Sequence, residues 1–405
     1  MIKLKIGVEM RKIAILLMFF IVASFAADSL NVRLLGRYTP CSPLQIAIDG
    51  NTAYLANSSG GLQILDVTNP AAITSPGYLF LPGDATELAI IDDHIAMACS
   101  DSTLRIIDPS DPSDVDVVGE YVSTSSIVTC FAIADTVYTS GGKFSVVDAG
   151  AVSALGLVGE FSSVFDALDI FVKPPYAYLA EANYGLSIVD ITNPAAPIGF
   201  ERYFGLEEYV NSVFVDRWNR LFMGTDEALM VFRFEGDSIE ELGTWTAPAP
   251  VLDIEVDGIY AFLACGASGL RILDISNPTA MSEVGYYVLG SELTDITLDY
   301  PRAWLVGFWA RVNCFDISSF APVEEHIPLP ETPSISVYPS PFNSVCAFDG
   351  PECRAIITDI SGCKIDEVTI PGTWIPNDDI PSGIYFVIPI DSGQINESAK
   401  AILLR

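Results

Sequence analysis

Apolar residues along most of this chain fall in short runs. Gly, Pro, Asn and Asp break these runs at close intervals, and no helical periodicity competes with them. The stretch from residue 167 shows the unit. Ala167 to Val172 is an apolar run, followed by Pro174-Pro175. Tyr176 to Ala180 is a second run, closed by Asn183-Tyr184-Gly185. Leu186 to Val189 is a third, ended by Asp190 and Asn193-Pro194. Ile198 to Phe204 is the fourth. Four short strands joined by tight turns predict one antiparallel meander. The runs are apolar at successive positions, so both faces of each sheet are expected to be covered by neighbours.

The unit repeats. Its third strand reads Leu62 to Asp66, Leu104 to Asp108, Phe144 to Asp148, Leu186 to Asp190, Leu229 to Arg233, Leu270 to Asp274 and Val312 to Asp316. Successive copies end 42, 40, 42, 43, 41 and 42 residues apart. A constant period of this length marks propeller blades or solenoid units. Most fourth strands carry a glycine about eleven residues after the phrase: Gly77, Gly119, Gly159, Gly243 and Gly285. The seventh copy lacks such a strand, and the missing piece stands at the other end as Val32 to Tyr38, with Gly36 inside it. An early strand that completes the last sheet closes the ring and removes exposed edges. The expected fold is therefore all-β, a seven-bladed β-propeller closed by its N-terminal strand, with a small β-sandwich after it.

The repeated phrases, over roughly residues 31–320, resemble the LVIVD repeat, a propeller-forming bacterial repeat. That resemblance implies a propeller at the cell surface or outside the cell and implies no particular activity. Near the end, Ile335 to Asn343, Ala355 to Gly362, Ile380 to Phe386 and Ala401 to Arg405 are similar to the C-terminal sorting domain of type IX secretion substrates, with Ser340 where that pattern has Asn. This second resemblance implies an Ig-like domain read by export machinery at the outer membrane. The expected organisation is a signal peptide at 1–26, the propeller at 27–318, a Pro-rich linker at 319–334 and the Ig-like domain at 335–405.

The signal reading rests on Arg11 and Lys12, the short apolar core from Ile13 to Val22, and small residues Ser24 and Ala26 before the cleavage point. No later run is long and apolar enough to span a bilayer as a helix. The expected location is the outer cell surface or the medium. The chain has 52 acidic and 20 basic residues and a formal charge of -32, which repels nucleic acid and anionic lipid. Eight cysteines occur. Cys41, Cys99, Cys130, Cys265 and Cys314 fall at apolar strand positions and read as small hydrophobes. Cys346, Cys353 and Cys363 allow one disulfide without assigning it.

Candidate chemistry is sparse. The repeated Asp66, Asp108, Asp148, Asp190, Asp274 and Asp316 precede turns and read as turn-capping groups that accept unpaired backbone N–H donors. No metal set and no His-based triad is expected, since the two histidines have no partners in the sequence pattern. No cofactor is expected; calcium is weighed only as a structural ion, because the Asp-rich turns lack the Gly and distal Glu of a calcium loop. The variable turns on one face carry the ligand-binding candidates Glu181, Tyr184, Glu207, Asp226, Phe308, Trp309 and Arg311, aromatics beside carboxylates that suit a glycan, a peptide or a surface protein. Two functional readings follow. One is a non-catalytic binding or scaffold propeller. The other is a carbohydrate-active hydrolase or lyase using carboxylates near the opening, with Glu181, Glu207 and Asp226 as candidates.

Overall fold

The computed structural model describes residues 29–39, 41–162, 165, 167–203, 209–234, 238–307, 311–320, 336–338, 346–359, 364–374, 383–389 and 399–403. The chain divides into two compact units, with the boundary between Glu325 and His326. The first is a wheel of seven antiparallel sheets. Blade 1 runs outward from its innermost strand as Gln45–Asp49, Thr52–Ala56, Leu62–Asp66 and Thr74–Leu79. Blades 2 to 6 repeat this order, with innermost strands Ala85–Ile91, Ile127–Ile133, Asp169–Lys173, Val210–Val215 and Asp253–Asp257. Blade 7 begins at Asp295–Asp299 and takes its outermost strand, Arg33–Tyr38, from the start of the propeller.

Closure follows the expected pairing. Arg33 stands opposite Asp316 and Tyr38 opposite Val312, and Arg33 also reaches the Asp316 carboxylate at 2.8 Å. One feature of the N-terminal segment is absent from the sequence-based expectation. Ser29–Leu30 pairs with Tyr286 and Tyr287 of blade 6, so that blade has a fifth strand. Asn31, at φ +56°, turns the chain between the two sheets, and Val32 is buried in the seam between blades 6 and 7. The N-terminal segment thus fastens two blades.

The wheel has no single core. Its buried side chains form seven apolar seams, one between each pair of neighbouring blades. The seam between blades 7 and 1 contains Ile46, Leu55, Leu65, Trp304, Val306, Val312 and Cys314. This is why successive strand positions are apolar: both faces of each sheet lie in a seam. Cys99, Cys130, Cys265 and Cys314 are buried free thiols there, and Cys41 is half-buried.

At the rim, turns and glycines interlock. Each phrase aspartate accepts the backbone N–H two residues on: Thr68 to Asp66 at 3.0 Å, Ser110 to Asp108 at 2.9 Å, Gly150 to Asp148 at 2.9 Å, Thr192 to Asp190 at 2.7 Å, Ser276 to Asp274 at 2.9 Å and Ser318 to Asp316 at 3.1 Å. In blades 1, 4 and 6 the following Asn69, Asn193 and Asn277 do the same. These turns aim a backbone carbonyl at the outermost strand of the preceding blade, and a glycine there makes room. A methyl on Gly77, Gly119, Gly159, Gly243 or Gly36 would overlap the carbonyl oxygen of Pro112, Val152, Pro194, Pro278 or Pro70 respectively. Blade 5 has Arg233 at the aspartate position. There Asp216 accepts from the Trp218 and Arg220 amides and pairs with the Arg220 guanidinium at 2.7 Å, while Arg220 donates at 2.8 Å to the Ile275 carbonyl of blade 6.

The second unit's described strands form one antiparallel sheet, ordered Ser336–Tyr338, Cys346–Asp359, Gly383–Pro389 and Ala399–Leu403, with Lys364–Trp374 also paired to the long strand. Cys363 and residues 321–334 of the expected linker lie outside the described residues, whereas Ser318–Phe320 form a short 3-10 turn whose Phe320 is buried in the seam between blades 6 and 7.

Gly243→Ala is expected to destabilise the propeller by roughly 1–3 kcal/mol through overpacking against backbone, read as a lower urea midpoint with unchanged slope. Gly156→Ala, where a methyl meets nothing within 4 Å, serves as the control.

Candidate functional site

The hub of the wheel is polar. Seven residues occupy one level near the start of the innermost strands, one per blade: Gln45, Glu87, Thr129, Asp169, Ser212, Asp253 and Asp295, with Asn211 in the bulge beside Ser212. Several reach across to the next blade and accept its backbone N–H. Gln45 Oε1 accepts from Leu88 at 3.1 Å, Asp169 Oδ2 from Val213 at 2.8 Å and Asp253 Oδ2 from Ile296 at 2.8 Å. Asp295 Oδ2 accepts from Ile46 at 2.9 Å, which carries the pattern across the closure. The second oxygens of Asp169 and Asp253 take the amides of Ile170 and Ile254, at 2.7 and 2.8 Å. Innermost strands have no inner neighbour, so these side chains supply partners that a sheet edge lacks.

The ring separates two spaces on the axis. The outer one, about 120 Å³, is lined by Gln45, Glu87, Asp169, Asp253 and Asp295 of the ring, by Asn211, and by Leu44, Thr86, Leu168, Leu252 and Thr294. The inner chamber, about 250 Å³, begins at the same carboxylates and continues past the next level of side chains: Ala47, Ala89, Phe131, Phe171, Phe214, Glu255 and Thr297. No Lys or Arg lines either space among the described residues.

Enclosure by protein and crowding of like charge raise every carboxyl here. Burial, with the neighbouring Asp253 charge, pushes Asp169 up to about 7, and burial brings Asp253 to about 6. Burial, with repulsion from Asp253, Asp169 and Asp257, pushes Glu255 up to about 8. Glu87 and Asp295 are also raised well above the carboxylate range, first by burial, then by Asp169 for Glu87 and by Asp253 for Asp295.

The residues singled out from sequence occupy different places. Glu181 is fully buried, its carboxylate accepting the Ser187 hydroxyl at 2.7 Å inside blade 4. It is part of a hairpin interior instead of an open face, because Ser187 on the adjacent strand captures it. Tyr184 is 43% exposed and stacks on Phe165. Asp226 is exposed and accepts from Asn211 Nδ2 at 3.1 Å, linking the face to the bulge beside the ring. Arg311 is exposed, at φ +68°. Glu207, Phe308 and Trp309 lie outside the described residues. Among the described residues, no group of three or more His, Cys, Asp or Glu side chains is gathered so as to hold a metal ion, and no helix is long and apolar enough to cross a membrane.

The model of the LVIVD repeat matches residues 44–77, 82–123, 166–204 and 250–288, which fall in blades 1, 2, 4 and 6. Four of the seven blades of the propeller thus match the LVIVD repeat. No curated protein matches the sequence. Among solved structures, the computationally designed Ika8 protein superposes with a TM-score of 0.54 at 11% identity, over 70% of this chain and 98% of that one, a likeness of fold.

The raised hub carboxyls make folding take up protons, and the sign of the pH dependence follows. Their contribution is fully present below the ordinary carboxylate range near pH 4 and is lost as pH rises through about 8. The turn aspartates act oppositely, since hydrogen bonds lower Asp66, Asp108 and Asp190, and Arg33 helps to hold Asp316 at about 2. The melting temperature is expected to peak near pH 5 and to fall by several degrees towards pH 8.5. Glu255→Gln is expected to flatten the alkaline side in a calorimetric pH series.

Proposed function

We propose that this chain is an exported, non-catalytic binding protein whose propeller takes up a cationic ligand at the acidic mouth and bore of its axial channel. The observation that carries this reading is the lining: five carboxyl groups face the axis and, among the described residues, no basic side chain lines it. A cation would relieve their mutual repulsion, whereas an anion or a neutral sugar would not. The ring carboxylates are also fixed to backbone amides across blades, which suits struts that present charge better than groups that must swing or exchange protons with a substrate. That favours binding over the hydrolase or lyase reading.

Export is supported by the charged, apolar and small-residue succession of residues 1–26. The similarity of the tail to type IX sorting domains supports a role for it as an address at the outer membrane. In this reading the partner is an extracellular amine, a basic peptide or a protein offering a basic side chain, and the exposed Asp226 and Tyr184 belong to the rim it would meet.

Titration calorimetry of the full chain checks this with three cations (a lysine-rich peptide, spermidine and 2-phenylethylamine) and with neutral oligosaccharides. At least one cation is expected to bind, about tenfold more weakly when salt is raised enough to shorten the screening length from about 10 to about 3 Å. Binding or turnover of an oligosaccharide with no response to any cation would overturn it.

A further inference from the structure

Below the ring, the inner chamber is asymmetric. Blades 3, 4 and 5 contribute Phe131, Phe171 and Phe214, whose rings stand side by side at 5.1 and 4.7 Å between centroids. Blades 7, 1 and 2 contribute only Thr297, Ala47 and Ala89 at the same level. The aromatic arc therefore forms one wall, and the small residues leave the opposite side open. Blade 6 places Glu255 at the edge of that arc.

Glu255 differs from the ring above it. Asp169, Asp253 and Asp295 spend carboxylate oxygens on backbone amides. Glu255 is half-buried and accepts no hydrogen bond among the described residues, while the carboxylates of Asp253, Asp169 and Asp257 crowd it. A carboxyl with no protein partner keeps both oxygens open to a ligand. Here it points into a chamber of about 250 Å³. For scale, a protein cavity of about 150 Å³ holds benzene.

We propose that this chamber seats a protonated amine with a compact aromatic or apolar body, its ammonium group on the Glu255 carboxylate and its body against Phe131, Phe171 and Phe214. A carboxylate supplies the counter-charge and ring faces attract a cation's edge, while the phenylalanines cover apolar surface. A calcium ion would need six or more oxygen ligands, and the aromatic wall offers none. A polyamine or a lysine-rich peptide has no aromatic body to set against the phenylalanines. This assignment rests on the cationic-ligand reading of the channel and narrows it to one level and one ligand class.

The test uses the full chain at pH 8 with 2-phenylethylamine as probe, and 3-phenylpropionate, spermidine and calcium chloride beside it. One-to-one binding of 2-phenylethylamine is expected, with release of a proton read from calorimetry in buffers of different ionisation enthalpy. Glu255→Gln is expected to weaken it at least tenfold while leaving the fold intact by its melting curve. Phe171→Leu should weaken it several-fold, and Thr297→Phe should abolish it by filling the open side. Unchanged affinity in Glu255→Gln would overturn the assignment. Binding of spermidine or calcium without 2-phenylethylamine would also overturn it and leave the acidic channel standing. Silence from every cation would remove both.

Discussion

A carboxylate oxygen accepting an amide hydrogen from the neighbouring blade is the contact on which this wheel turns. The innermost strand of each blade is a sheet edge facing the axis, and an edge with unmet donors invites slippage or pairing with another chain. Asp169, Asp253 and Asp295 meet those donors across blade boundaries, and Gln45 does the same without charge. The cost is a crowd of acids in a narrow bore. That crowd raises the carboxyls of the hub, so the arrangement that holds the blades in register also concentrates acidic groups on the axis.

The rim solves a different problem. There the fastener is steric: an Asx turn pushes a carbonyl into a notch that only glycine leaves open, as with Pro278 against Gly243 and Pro70 against Gly36. Between blades 4 and 5 the pattern lapses. Arg233 replaces the phrase aspartate, and the buried Asp216–Arg220 pair anchors blade 5 to blade 6 through the Ile275 carbonyl. A buried ion pair adds little net stability by itself; its value here is that it satisfies several backbone groups at once.

Much of this architecture is legible in the sequence, because period, turn residues and the displaced glycine strand are local marks. The hub is harder to read. Its residues recur at nearly the same 42-residue step as the phrases, yet they vary among Gln, Glu, Thr, Asp and Ser and sit inside runs that look uniformly apolar. What unites them is orientation towards the axis, and that exists only once the ring closes. Aligning the repeats on the start of the first strand, instead of on the phrase aspartate, exposes the column. Glu181 shows the converse error: a charged residue in a turn-rich stretch reads as surface, but Ser187 on the adjacent strand draws it inside.

The double attachment of the N-terminal segment has a consequence for assembly. Ser29–Leu30 and Arg33–Tyr38 need blades 6 and 7 as docking partners, and both are built from residues more than two hundred positions later. The first part of the propeller to be made is therefore the last to be seated. Until the residues up to Asp316 are available the wheel stays unlocked, and seating that one segment turns an open coil into a hoop.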